Sequence, residues 1–128
     1  MDSKDFYEAA EAIYSNGSLK EAECRSIIHL AYYAVYHACA QILGLEVLEG
    51  RPTKRITHRG MRDYLQNVTN SNPIIEAAKK FYTGLLVMRI DADYNLTKVI
   101  SMDDADDALE KAETILCINM VSKKSSAA

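Results

Sequence analysis

Prolines and glycines are scarce in this chain of 128 residues, which has two of the former and five of the latter spread along its length. No apolar run approaches the roughly 20 residues that a membrane-spanning helix needs. The N-terminus, Met1-Asp-Ser-Lys-Asp, is acidic, whereas a secretory leader starts with basic residues ahead of an apolar segment. These absences predict a single soluble domain without a linker, membrane span or leader, and hence a cytoplasmic protein.

Cysteine usage and net charge argue against two further classes of protein, those built on disulfides or zinc and those with a generally basic surface. Cys24, Cys39 and Cys117 form an odd set without metal-ligand spacing, and each falls on or beside the apolar side of a predicted helix. This pattern favours reduced thiols over a disulfide framework or a zinc site, and we expect no metal or other cofactor. The formal charge of −3 argues against a generally basic nucleic-acid-binding coat, so any such surface is local.

Two helices are predicted at the start of the chain. The first covers residues 3–15 and stops at Asn16-Gly17, a pair that suits a left-handed helix end. Ser18 and Glu21 match a capping box, which predicts a long second helix from there to Leu43-Gly44. The apolar positions of the first helix are Phe6, Ala9, Ala10 and Ile13. The predicted core stripe of the second is Cys24, Ile27, Ile28, Ala31, Ala34, Val35, Ala38 and Ile42.

A second line of side chains runs beside that stripe. It is rich in aromatic and imidazole groups, which are unusual on a solvated flank, so we expect something to cover it. The surface of this flank and of the polar seam described below is together larger than one four-helix core is expected to bury. This predicts a homodimer, in which a second copy covers the remainder. The residues of this flank are Arg25, His29, Tyr32 and Tyr36, with Tyr33 and His37 further round.

A basic segment follows the second helix. Residues 45–55 contain Gly50 and Pro52 and are predicted to form a loop, and a shorter helix is expected from about Thr57 to Val68. The cations of the loop and helix start form a cluster suited to RNA phosphates, although a solvated surface without a ligand remains the alternative. They are Arg51, Lys54, Arg55, Arg59 and Arg62, with His58 among them.

The stretch from Asn72 to Leu96 is predicted to be one long helix, capped by Asn72 with Pro73 at its first position. A polar seam borders its apolar stripe, where Arg89 and Asp93 are one turn apart and can pair. This seam, which also includes Tyr82, is the best candidate site in the sequence. The predicted stripe is Ile74, Ala78, Phe81, Leu85, Met88 and Ala92.

A last helix opens at Ser101, whose hydroxyl and the carboxylate of Asp104 fit a capping box. The acidic run from Asp103 to Asp107 is interpreted as a capping and solubility feature rather than a metal site. With no strand alternation, the helices predict an all-α, antiparallel up-and-down four-helix bundle plus a short extra helix. The inner face of the last helix is predicted to be Ala105, Ala108, Leu109, Ala112, Ile115, Leu116 and Met120.

Four segments, in order and spacing, resemble the small single-domain HEPN (higher eukaryote and prokaryote nucleotide-binding) proteins. They are YYAVYHACAQIL (32–43), THRGM (57–61), RIDADY (89–94) and DADDALEKA (104–112), and the Arg-x-x-Ala-Asp-Tyr piece is the most specific. We expect one HEPN-like helical domain over residues 1–122 and a disordered tail at 123–128. The resemblance implies a helical bundle that forms homodimers. Many members of the family are metal-independent ribonucleases of toxin–antitoxin or defence systems, often encoded beside a minimal nucleotidyltransferase.

The chain departs from the catalytic motif of the active members, Arg-x4-6-His. Arg89 matches the arginine, but no histidine follows between Ile90 and Lys98. RNA cleavage at a 2′-hydroxyl needs a group that exchanges a proton near neutral pH, as an imidazole does. The resemblance therefore implies a component that binds RNA, a nucleotide or a partner such as a nucleotidyltransferase-type antitoxin. The alternative is a metal-independent endoribonuclease that uses Arg89 and Asp93, with Tyr94 or His58 as the proton-transfer residue.

Overall fold

The computed structural model describes residues 1–17, 19–47 and 55–118, and these form five α-helices. The helices are α1 (Ser3–Tyr14), α2 (Glu21–Ile42), α3 (His58–Asn67), α4 (Pro73–Tyr94) and α5 (Met102–Leu116). Two short strands, β1 (Glu46–Val47) and β2 (Arg55–Ile56), pair in parallel at the edges of the predicted loop, with Glu46 opposite Arg55. The prediction of an all-α bundle is confirmed, since two-residue strands supply no layer of their own.

Helix α2 is the centre of the bundle and packs on α1, α4 and α5, while α4 also contacts α5 and α3. Its early residue His29 meets Asp93 at the end of α4, so these two helices are antiparallel. Tyr14 at the end of α1 likewise donates a hydrogen bond to Asp106 near the start of α5. The short α3 is the extra helix. No helix in the described part of the chain is long and apolar enough to cross a bilayer.

Local capping places most helix starts where the sequence predicts them. Thr57 caps α3 by accepting a hydrogen bond from the Gly60 N–H, and Ser101 with Asp104 forms the predicted box at α5. The cap predicted for α2 is wrong. The helix begins at Glu21, and the Lys20 N–H donates to the carboxylate of Glu23, the third residue of the helix, while the Glu21 carboxylate binds Arg25. Ser18 lies outside the described residues.

The predicted core stripes of α2 and α5 are confirmed. All eight residues of the α2 stripe are buried except half-buried Ile42, and six of the seven on α5 are buried, Met120 being outside the described residues. In α1 the core residues are Tyr7 and Ala10, because Phe6 and Ile13 are only half-buried and Ala9 is exposed. Cys117 was also misplaced, since it is exposed at the left-handed end of α5.

Helix α4 buries a different face from the predicted one. Ala78, Leu85 and Ala92 are in the core as expected, but Phe81 is 37% exposed. The buried face is rotated by roughly 60° about the helix axis, given 100° per residue, toward the polar seam. It consists of Ile75, Ala78, Tyr82, Leu85, Leu86, Arg89 and Ala92. The seam therefore lies in the interior, and a guanidinium occupies a core position.

Candidate functional site

The site is built around the carboxylate of Asp93, which lies between a cation and an imidazole. Arg89 Nε, one turn earlier on α4, is 2.8 Å from Asp93 Oδ2. From α2, His29 Nδ1 is 2.8 Å from Oδ2 and 3.0 Å from Oδ1 of the same carboxylate. Because an ionised carboxylate only accepts hydrogen bonds, His29 Nδ1 carries the proton and donates it. The ring nitrogen Nε2 of His29 then faces away from Asp93.

Arg89 is 8% exposed and is the buried charged residue of the described part of the chain. Its Nη2 donates to the Tyr33 hydroxyl at 3.3 Å, whereas its Nε–H is not directed at Asp93 well enough to form a hydrogen bond. The Cζ atom lies 5.5–5.6 Å from the ring centres of Tyr32, Tyr33 and Tyr94, a distance at which rings attract a cation. Burial acts to lower the pKa of Arg89, but the neighbouring tyrosines and Asp93 outweigh it, so the pKa is raised and the charge is kept.

His58, at the start of α3, bridges two tyrosines of α2. Its Nδ1 is 2.7 Å from the Tyr32 hydroxyl and its Nε2 is 3.3 Å from the Tyr33 hydroxyl. Burial, helped by the nearby charge of Arg89, lowers the pKa of His58 to about 4. The imidazole is therefore neutral at physiological pH, with both nitrogens engaged. A group in this state is a poor proton-transfer residue, so the arrangement disfavours His58 in that role.

The hydrogens of this network run in one direction. Arg89 can only donate, so Tyr33 accepts from it and is free to donate its own hydrogen to His58 Nε2. His58 Nδ1–H then donates to Tyr32, which donates to the adjoining Tyr82 hydroxyl. Tyr82 completes the chain by donating to the backbone carbonyl of His58 at 3.4 Å. Each hydroxyl and the His58 ring N–H has an acceptor in this arrangement, which assigns the Nδ1–H tautomer to His58.

The aromatic flank predicted on α2 is covered in part by the same chain, and its residues Arg25, His29, Tyr33 and His37 are half-buried. Tyr32 and Tyr36 are fully buried against α3 and α4, and Tyr36 donates to the Ile56 carbonyl at 2.7 Å. Burial raises the pKa of Tyr36 to about 12 and raises the pKa values of Tyr32 and Tyr82 beyond that, so all three hydroxyls are neutral. Tyr32 and Tyr36 therefore need no second copy to cover them, and the homodimer stays a prediction.

Arg25, also predicted on that flank, closes the C-terminal end of α4. Its Nη1 donates to the carbonyl oxygens of Asp91, Ala92 and Asn95 at 3.0–3.2 Å, and its Nη2 donates to that of Lys98. Glu21 neutralises the guanidinium at 2.8 Å. The Asp91 carbonyl also accepts from the Asn95 N–H, and that of Asn95 accepts from the Lys98 N–H. A cation at the C-terminal end of a helix is favourable, so Arg25 fixes the last turn of α4, which carries Asp93.

The predicted basic cluster is described only in part. Arg51 and Lys54, together with the side chain of Arg55, lie outside the described residues. Arg59 is exposed on α3, and half-buried Arg62 pairs with Asp63 at 3.0 Å. Among the described side chains, no group of three or more histidine, cysteine, aspartate or glutamate residues is placed to hold a metal ion.

Two members of the site were predicted on the aromatic flank of α2 but were not connected to Arg89 and Asp93 from the sequence. Tyr33 contacts Arg89, His58 and His29 at once, and His29 is the partner of Asp93. The available signal was topological, since antiparallel packing of the second and fourth long segments brings the first turns of one beside the last turns of the other.

Comparisons of this chain with models of protein families, with curated proteins and with solved structures find no match.

Proposed function

We propose that this protein is a HEPN-like, homodimeric binding component of a toxin–antitoxin or defence system, in which Arg89 stabilises the fold. The burial of Arg89 carries the proposal. Its charge is neutralised by Asp93, its Nη2 is bonded to Tyr33 and three rings surround it. A guanidinium in this state is a weak anchor for a substrate phosphate, because its charge is already neutralised inside the chain and the side chain is buried.

The outward face of α4 supports the homodimer. Val87, Ile90 and Tyr94 recur at helical spacing and are 53%, 43% and 70% exposed. Leu96 and Val99, just beyond the helix, are 77% and 75% exposed and extend the apolar surface. Contiguous apolar surface of this kind marks an interaction site, and an isologous pair of α4 helices covers it on both copies at once.

The proposed dimer is tested by the molar mass in solution. Light scattering at micromolar concentration gives twice the chain mass of 14.3 kDa for the wild type. Ile90→Glu places a charge in the proposed interface and gives the monomer mass, because a buried unpaired carboxylate opposes association. Gln66→Glu adds the same charge to an exposed position on α3 and leaves the dimer intact. A monomeric wild type contradicts the proposal.

One proposed partner is a nucleotidyltransferase-type antitoxin. The other is RNA or a nucleotide, bound by the basic segment around Arg59, and the exposed guanidinium of Arg59 supports this second partner. Binding of single-stranded RNA then weakens steeply as salt is raised, because each neutralised phosphate releases counterions. An RNA affinity that does not change with salt would contradict the RNA partner and leave only the protein partner.

A second candidate, a metal-independent ribonuclease, is favoured by one observation. Arg89, Asp93 and the imidazole of His29 lie together, which brings a guanidinium beside the proton-exchanging group that α4 lacks. Within the described part of the chain no hydrogen bond involves Arg89 Nη1, so this nitrogen is available to a phosphate oxygen. Incubation with mixed RNA in the presence of a chelator separates the candidates. If the protein is a binding component, the RNA stays intact. If it is a ribonuclease, the wild type cuts the RNA and a variant without Arg89 does not.

A further inference from the structure

Helix α3 is attached to the bundle by little apolar surface. Of its ten residues, all of them described, only Met61 and Leu65 are buried. Helix α1 also buries two residues but adds half-buried Phe6, Ile13 and Tyr14 to the core, whereas α3 adds none. A segment with few buried apolar contacts can open locally at a lower free energy than that of global unfolding. Helix α3 is therefore suited to leave the bundle without unfolding the rest.

Polar contacts supply much of the remaining attachment. Just after α3, the Lys79 ammonium donates to the Val68 carbonyl at 2.7 Å. Just before α3, the Tyr36 hydroxyl donates to the Ile56 carbonyl at 2.7 Å. At the first position of the helix, the ring centre of His58 lies 4.4 Å from that of Tyr36. Hydrogen bonds thus anchor both ends of α3.

The surface beneath α3 can be uncovered at low cost. It carries three tyrosine hydroxyls, each of which is bonded to a ring or carbonyl atom of His58 or Ile56. Hydroxyls that lose these partners can bond to water, whereas an apolar surface has no such substitute. The contact is therefore compatible with both a docked and a released α3. The three tyrosines are Tyr32, Tyr36 and Tyr82.

The hydrogen bonds of the His58 ring hold only while the ring is neutral. The Tyr33 hydroxyl accepts from Arg89 Nη2 and donates to His58 Nε2. A second ring proton turns Nε2 into a donor, so Tyr33 would face a donor on each side and lose the acceptor of its own hydrogen. The imidazolium would also add a second positive charge near Arg89, whose charge already acts to lower the pKa of His58.

The other groups around the ring offer an imidazolium little compensation. The carboxylate of Asp93 favours the protonated ring, but Arg89 and His29 already bind it. Burial of the ring opposes the charge as well. The titratable groups that face His58 or act on it are His29, Tyr32, Tyr33, Tyr36 and His37 on α2, and Tyr82, Arg89 and Asp93 on α4.

We propose that α3 is a detachable cover over the tyrosines of α2 and α4, that neutral His58 is its latch, and that protonation of His58 releases it while the other four helices stay folded. Release uncovers the Tyr32, Tyr36 and Tyr82 hydroxyls. They lie beside Arg89, whose guanidinium is 5.6 Å from the centre of the Tyr32 ring. The cover is a property of the fold and operates under either candidate function.

Hydrogen exchange followed by NMR, residue by residue, tests the cover. The amides from Met61 to Val68 are bonded within α3 and its C-terminal end. After correction for the intrinsic exchange rate, their protection falls by about tenfold for each pH unit between about 6.5 and about 4, because the released ring binds a proton that the docked ring does not. At every pH in this range the core amides of α2 and α4 stay more protected than those of α3.

Two variants separate the latch from general packing. Glutamine is neutral and can both donate and accept, so in His58→Gln the protection of α3 no longer depends on pH in this way. His37→Gln is the matched control on α2 and keeps the pH dependence of the wild type. The proposal is overturned if α3 amides exchange only together with those of α2 and α4, since α3 would then open only in global unfolding. An unchanged pH dependence in His58→Gln overturns it as well.

Discussion

The imidazole of His29 donates a hydrogen bond to a carboxylate 64 residues later in the chain, that of Asp93, at 2.8 Å. This contact joins the early part of α2 to the last turn of α4. Asp93 also neutralises Arg89, so one carboxylate links an exposed imidazole to a buried cation. The stability of the bundle and the chemistry of its best candidate site therefore depend on the same side chains.

Arg25→Lys is expected to destabilise the protein although it keeps the charge. A lysine ammonium is a point donor and cannot reach the carbonyls that the planar guanidinium spans at the end of α4. Hydrogen bonds from a charged donor contribute about 1.5–3 kcal/mol, and we expect a loss of that size in a urea titration. Arg62→Lys, at a half-buried position of α3 where the side chain pairs with exposed Asp63, is the control and changes stability little. Equal stabilities of the two variants would refute the proposed role of Arg25.

Leu85→Ala and Phe81→Ala separate the observed face of α4 from the predicted one. Leu85 is fully buried, so its truncation costs about 2–5 kcal/mol of unfolding free energy. Phe81 is 37% exposed, and its loss costs less because water already reaches part of the ring. The measurement is the denaturant midpoint of each variant. A larger loss at Phe81 than at Leu85 would mean that the helix is rotated the other way.

His58 makes stability depend on pH. Its folded pKa is about 4, whereas an imidazole in an unfolded chain titrates near 6.5. Between these values the unfolded state binds more protons, so the free energy of unfolding falls as pH falls from about 6.5 to about 4. The variant His58→Gln has no imidazole to protonate at this position, so its stability lacks this dependence on pH. The difference in unfolding free energy between wild type and variant therefore narrows as pH falls through that window. A gap that stays constant would show that His58 is not kept neutral by the fold.

The helices were predictable because local chemistry specifies them. Caps at Asn72 and Ser101, and the stop at Gly17, whose φ is +87°, act over a few residues and can be recognised without knowledge of the tertiary fold. The inner faces of α2 and α5 were also predictable, because apolar side chains dominate them.

The buried face of α4 was not predictable from hydrophobicity. Tyr82 and Arg89 count as polar residues in a sequence pattern, yet both are buried, because Tyr32 and Tyr33 on the facing helix bond to them and Asp93 on the same helix neutralises Arg89. Partners on a facing helix are known only once the two helices are aligned in register. The pairing of His29 with Asp93 escaped prediction for the same reason.

The central claim, that Arg89 belongs to the core of the fold, is tested most directly by the unfolding free energy of Arg89→Ala. The variant leaves Asp93 and the Tyr33 hydroxyl without their cationic partner inside the bundle. Removal of one member of a buried ion pair costs about 3–5 kcal/mol, and we expect a urea titration to show a loss in that range, with Arg62→Ala changed by less than about 1 kcal/mol. An Arg89→Ala protein as stable as the wild type would contradict the account.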